Sequence, residues 1–93
     1  MRIGFCQVES TCGQFEQNLN KVLTGLRRAD EERVEILAFP ESFLTGYTDS
    51  RELAYETAFS ADSPSMMSLL HETAAFESTF IVGFNELRGD LLT

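Results

Sequence analysis

The side chains able to do acid–base or covalent chemistry are few, and Glu41 is the best placed. In "LAFPESFLTGY", residues 37–47, an apolar run stops at Pro40 and Glu41, and the apolar pair Phe43 and Leu44 follows before Gly46. A carboxylate that directly follows a buried parallel strand lies in the crevice beyond the strand ends, where ligands bind in open α/β sheets. Pro40 removes a backbone donor and fixes the local geometry. Phe39, Phe43 and Leu44 would lower the dielectric around the carboxylate, which suits it to accepting a proton. Glu41 reads equally well as a loop glutamate that accepts hydrogen bonds from backbone amides. Tyr47 could line a pocket through its hydroxyl or simply pack. Glu86, near the end of a later strand, either touches the same crevice or stands exposed.

The remaining reactive groups point elsewhere. Cys6 and Cys12 have neither the CxxC spacing of a zinc site nor that of a redox pair. Cys6 reads as a small buried hydrophobe and Cys12, in the polar "STCGQ", as exposable; a disulfide between them would require the first strand to end early. Lys21 is the only lysine. It lies about 120° around its helix from the apolar stripe and so faces solvent. His71 falls opposite the apolar face of its helix. "STCGQ" carries one glycine, too few for a phosphate-cradling loop, so no nucleotide is expected.

The elements that must position Glu41 follow from hydropathy periods. Residues 2–8 are apolar on both alternating faces and read as a central strand covered on both sides. Phe15, Leu19, Val22, Leu23, Leu26 and Ala29 recur at helical spacing, predicting a helix over 14–32. Asp30, Glu31 and Glu32 crowd its last turn, where the dipole disfavours them; with Arg27, Arg28 and Arg33 nearby they read as a solvated end. Residues 34–39 form a second buried strand, parallel to the first. A short helix capped by Asp49 or Ser50 comes next. Ser63-Pro64 then opens a helix running to about Phe76, with Met66, Leu69, Leu70 and Thr73 on one stripe and Met66 and Met67 as core filling. Residues 79–87 are a third strand, and Arg88-Gly89-Asp90 is a turn into another. The class is α/β, with 1–93 a single partial domain whose short last arm reads as an interrupted sequence.

Composition excludes several partners. Seven basic and fifteen acidic side chains give a net charge of −8, which repels phosphate backbones and anionic lipid, so neither nucleic acid nor membrane is expected. No apolar run approaches the ~20 residues of a membrane span, and the N-terminus lacks a signal-peptide pattern. A cytoplasmic location is the expectation. A chain this short buries only about 60–65% of its unfolded surface, so one modest core is the ceiling.

An N-terminal strand ending in Gln7, Asn18 early in the first helix, "ILAFPESFLTGY" and "FIVGFNE" together resemble the start of the nitrilase superfamily, the carbon–nitrogen hydrolases. The most specific piece is formed by Phe39, Pro40, Glu41, Leu44, Gly46 and Tyr47. The resemblance implies the N-terminal part of a four-layer α–β–β–α sandwich, with three to four strands and two to three helices. It also implies hydrolysis of small amides or nitriles by a glutamate, a lysine and a cysteine, chemistry that uses protein groups alone and calls for no metal or organic cofactor. In that scheme a thiolate attacks the substrate carbon, a glutamate acts as general base and a lysine stabilises the tetrahedral intermediate. Glu41 matches the glutamate, and Tyr47 is the candidate substrate-binding residue. The family's lysine and cysteine lie downstream of Thr93, and no residue here matches them, so the chain is expected to be inactive alone. A second expectation is a non-catalytic α/β module that self-assembles through an exposed sheet into a homo-oligomer.

Overall fold

A computed structural model describes all of residues 1–93. It has three helices, three parallel strands and a terminal hairpin. The strands are β1 (Ile3–Phe5), β2 (Ile36–Ala38) and β3 (Thr79–Ile81), hydrogen-bonded in the order β1-β2-β3. The pairing is in register: Ile3, Ile36 and Thr79 form one row, Gly4, Leu37 and Phe80 the next, and Phe5, Ala38 and Ile81 the third. Because strand side chains alternate between faces, the outer rows point one way and the Gly4 row the other.

Helix α1 (Phe15–Glu31) covers the Gly4–Leu37–Phe80 face. Its apolar stripe buries Leu19, Val22, Leu26 and Ala29 against Leu37 and against Leu69 of α3 (Pro64–Thr73). Phe43 and Leu44, just beyond β2, complete the same core and are fully buried. Gly25 leaves room for the ring of Phe39, since a Cβ there would sit 3.2 Å from its Cζ. Two helices begin at a capping serine. Ser50 accepts from the Leu53 N–H to cap α2 (Arg51–Thr57), and Ser63 accepts from Met66 at the start of α3, with Pro64 next. Helix α1 ends in a six-to-one and five-to-two pattern, Val34 N–H to Ala29 and Arg33 N–H to Asp30 carbonyls, with Arg33 left-handed at φ 57°. After α2, Phe59 stacks on Phe84 at 4.6 Å and meets Phe15 edge-on at 5.5 Å, which fastens that segment beside the extension of β3.

Four expectations need correction. First, β1 is an edge strand rather than a central one, and it is covered on one side only, with Ile3 and Phe5 exposed. An apolar face reads the same in sequence whether or not a partner covers it. Second, Met67 and Leu70 are exposed; α3 packs only through its Leu69–Thr73 edge and the half-buried Met66. Third, the third strand is shorter than 79–87. It leaves the sheet after Ile81, and Glu86 pairs with Phe59 instead, before the hairpin of β4 (Leu87–Arg88) and β5 (Leu91–Leu92). This brings the strand count to five.

Fourth, Asp30 is not part of a solvated end. Its carboxylate accepts the Glu77 N–H at 3.1 Å and the Ser78 N–H at 3.0 Å, tying the end of α1 to the start of β3. Those two backbone bonds hold its carboxyl below the usual carboxylate range. A depressed folded value means that the tether contributes stability above the unfolded pKa and loses it as pH falls through the folded one. Asp30→Ala is therefore expected to lower the urea midpoint at pH 7, with the gap from the wild type closing below about pH 4. A gap of the same size at pH 7 and pH 2.5 would rule the tether out.

Candidate functional site

Glu41 stands at the C-terminal tip of β2, the middle strand of the sheet, in a turn that runs over the following residues to Thr45. The turn is shaped from four sides. Ser42 adopts a left-handed backbone, φ 53°, which a residue with a Cβ rarely holds without support from its surroundings. Gly46 N–H closes the turn onto the Ser42 carbonyl at 2.8 Å. Leu44 N–H donates to the Gly83 carbonyl beyond β3 at 3.1 Å, and the Gly13 N–H donates to the Thr45 carbonyl at 2.9 Å. Asn85 holds it from the β3 side: its side-chain oxygen accepts from the Ser42 hydroxyl at 3.3 Å, and its N–H donates to the Thr45 hydroxyl at 3.1 Å.

Asn18 holds the turn from below. It is fully buried, its Oδ1 accepts the Thr11 N–H at 2.8 Å, and its Nδ2 donates to the carbonyls of Thr11 at 2.9 Å and Leu44 at 3.1 Å. One side chain thus ties α1, the loop after β1 and the turn after β2 to one another. The loop comes so close that a Cβ on Gly46, where φ is +85°, would lie 2.4 Å from Cys12 Cα. Asn18 falls on the apolar stripe between Phe15 and Leu19. A polar residue in that position must find partners inside, and this is the signal by which the sequence marks it.

Phe43 and Leu44 turn down into the core instead of surrounding Glu41, which is exposed. The apolar surround expected for the carboxylate is therefore not supplied by residues of this chain. Tyr47 is 69% exposed on the far side of Gly46. Neither residue lines a cavity; the largest groove, about 510 Å³, runs between α1 and the free edge of β1 and is lined by Cys6, Lys21 and Arg28 among others. Glu86 is half-buried and joined to Thr93 by paired backbone hydrogen bonds at 2.8 Å, so it belongs to the hairpin.

Of the other reactive groups, Cys12 lies nearest the turn, its backbone packed against Gly46. Cys6 faces the helices, where burial pushes its thiol up and so away from the nucleophilic thiolate. Cys6 and Cys12 are both free, and each is half-buried. Lys21 is half-buried rather than fully in solvent, and its amine donates to the Glu9 carbonyl. His71 is exposed, and no three His, Cys, Asp or Glu side chains converge as a metal site would need. What the chain builds is one carboxylate on a rigidly held turn at the mouth of a parallel sheet. That arrangement presents a carboxylate to solvent with no hydrogen-bonded nucleophile beside it.

The carbon–nitrogen hydrolase family model matches residues 2–92. A stretch of 47 residues, 50% of this chain, is 43% identical to a glutamine-dependent NAD(+) synthetase of Thermotoga maritima. The match spans 8% of that relative's length.

Proposed function

The chain belongs to the carbon–nitrogen hydrolase family, and on that premise we propose that it supplies the general-base part of such a hydrolase, with Glu41 as the base. The supporting observation is the turn itself: a carboxylate beyond the tip of the middle parallel strand, on a backbone held by Asn18, Gly83, Asn85 and Gly13. In the full reaction Glu41 would take the proton of a cysteine thiol as the thiolate attacks an amide or nitrile carbon. A lysine would meet the charge that develops on the substrate. Thiol and lysine would come from polypeptide other than these residues, since no residue here matches the family's pair, Lys21 is held at the Glu9 carbonyl and the Cys6 sulfur packs beside Gly25 of α1. Alone, the chain should not turn over substrate. Tyr47, exposed just beyond the turn, would then form part of the substrate wall. Two free cysteines fit a reducing, cytoplasmic setting.

The test is a chimera in which residues 1–93 replace the matching segment of an active family member, assayed for amide hydrolysis. Glu41→Gln in that chimera should lower kcat by about a hundredfold or more with little change in thermal stability, since the residue is exposed. Undiminished turnover by the Gln variant, or turnover by the isolated 93-residue chain, would defeat the proposal.

A further inference from the structure

We infer that Ser42 and Asn85 are positioning residues for Glu41: contacts from the chain beyond β3 hold Ser42 in a strained backbone, and that backbone aims the neighbouring carboxylate. The inference rests on the reading of Glu41 as the base. Ser42 has φ 53°, a conformation that crowds its Cβ against the following carbonyl oxygen and that glycine would adopt freely. Arg33 is the other residue with a Cβ at positive φ, and it ends α1, where a left-handed residue is a common helix stop. Ser42 ends no helix. Its strain lies beside the carboxylate, and strain of this kind persists only where the surroundings over-determine it.

Two anchored segments flank Ser42. Phe43 and Leu44 after it are fully buried in the core, and Phe39 before it donates its N–H to the Ile81 carbonyl at 3.0 Å. Relaxing φ from 53° to the ordinary value near −60° is a rotation of about 110°. With Phe43 and Leu44 fixed, that rotation falls on the Glu41 peptide. What opposes it comes from beyond β3. The Ser42 hydroxyl donates to Asn85 Oδ1 at 3.3 Å, and the chain at Gly83 passes so close that a Cβ there would lie 3.4 Å from Ser42 N. The Asn85 N–H donates to the Thr45 hydroxyl at 3.1 Å, so one residue spans the turn from Ser42 to Thr45. A glycine at position 42 would hold the same φ without strain but would offer Asn85 no hydroxyl. The serine thus keeps a strain that glycine would remove, and gains a tie to the chain beyond β3 that glycine lacks.

Two measurements test this. In the 93-residue chain, amide relaxation by NMR should give Glu41 and Ser42 the order parameters of rigid backbone, about 0.85, falling toward about 0.6 in Asn85→Ala and in Ser42→Gly. Asn85→Ala keeps the N–H that meets Thr45 and so removes the Ser42 contact alone. Ser42→Gly removes the strain as well, so its Tm should stay within about 5 °C of the wild type. In the chimera carrying residues 1–93, both variants should lower kcat about tenfold with KM within about twofold. Asn85→Asp, which keeps an acceptor for the hydroxyl, should hold kcat within about threefold of the wild type. A merely structural role would leave kcat unchanged wherever Tm is unchanged. If Glu41→Gln removes turnover while Asn85→Ala and Ser42→Gly leave kcat intact, or raise KM alone, the positioning role fails and the assignment of the base stands. If Glu41→Gln leaves turnover intact, that assignment fails and the positioning role with it. Wild-type order parameters already near 0.6 at Glu41 and Ser42 would overturn the positioning role without any assay of turnover.

Discussion

Gly46→Ala is expected to destabilise the fold more than loss of any single hydrogen bond in it. The added Cβ would sit 2.4 Å from Cys12 Cα, 2.6 Å from Cys12 N and 2.8 Å from the Thr11 carbonyl carbon. All three are backbone atoms, so no rotamer change can relieve the overlap; the loop after β1 must separate from the turn after β2. Separation breaks the Gly13–Thr45 hydrogen bond and strains the three that Asn18 makes. To this is added the left-handed backbone at φ +85°, itself worth about 1–2 kcal/mol for a residue with a Cβ. The sum should exceed about 4 kcal/mol against a total stability of about 5–15 kcal/mol, lowering Tm by about 20 °C. Gly89→Ala separates the two causes. Gly89 also has positive φ, +63°, but nothing lies within 4 Å of its would-be Cβ, so strain alone should lower Tm by only about 5–10 °C. Equal melting shifts for the two variants would show that the close approach at Cys12 does not exist.

The contrast between these glycines also indicates which structure a sequence can reveal. What was legible had local causes. The stripe from Phe15 to Ala29 set the first helix, Ser50 and Ser63-Pro64 set the starts of the next two, and Arg88-Gly89-Asp90 set the closing turn. Parallel pairing followed from the strand–helix–strand order, and Glu41 fell at a strand tip because the apolar run ends there. What was not legible depends on residues distant in the chain. Asp30 meets Glu77 and Ser78, Ser42 meets Asn85, and Asn18 meets Leu44. No periodicity encodes such pairings. The uncovered sheet face was illegible for another reason: Ile3, Phe5 and Ile81 are the residues a covered face would also contain.

Several of these distant contacts converge on one turn, which links the fold to the chemistry proposed for it. A general base is useful only if its carboxylate returns to the same position relative to the reacting atoms, and misplacement by about 1 Å can cost about a hundredfold in rate. Glu41 has no partner of its own to fix it. Its position therefore depends on the backbone between Pro40 and Gly46, which Asn18, Gly83, Asn85 and Gly13 hold.

Asn18 is the most consequential of these supports, and replacing it should show as much. Asn18→Ala removes three hydrogen bonds at once and leaves the buried Leu44 carbonyl without a donor, next to a small void. Unpaired buried groups cost about 1–3 kcal/mol each. The urea midpoint should therefore fall by an amount equivalent to about 3–4 kcal/mol. Asn18→Asp is the sharper variant, because it nearly preserves shape while exchanging the Nδ2 donor for an oxygen. At pH 7 a carboxylate would face the carbonyls of Thr11 and Leu44 in a fully buried site, so its ionised form is penalised and its folded pKa raised. A raised folded value means that its stability contribution is present below the unfolded pKa and lost as pH rises through the folded one. The Asp variant should thus recover toward the wild type as pH falls from 7 to about 4, where the protonated acid can donate to one carbonyl. This is opposite in sign to the Asp30 tether, which is intact over that range and weakens only below about pH 4. Urea titrations of the wild type, Asn18→Ala and Asn18→Asp at pH 7 and pH 4.5 separate the effects. If the Asp variant is no better relative to the wild type at pH 4.5 than at pH 7, Asn18 does not face those carbonyls, and the turn carrying Glu41 is held by something else.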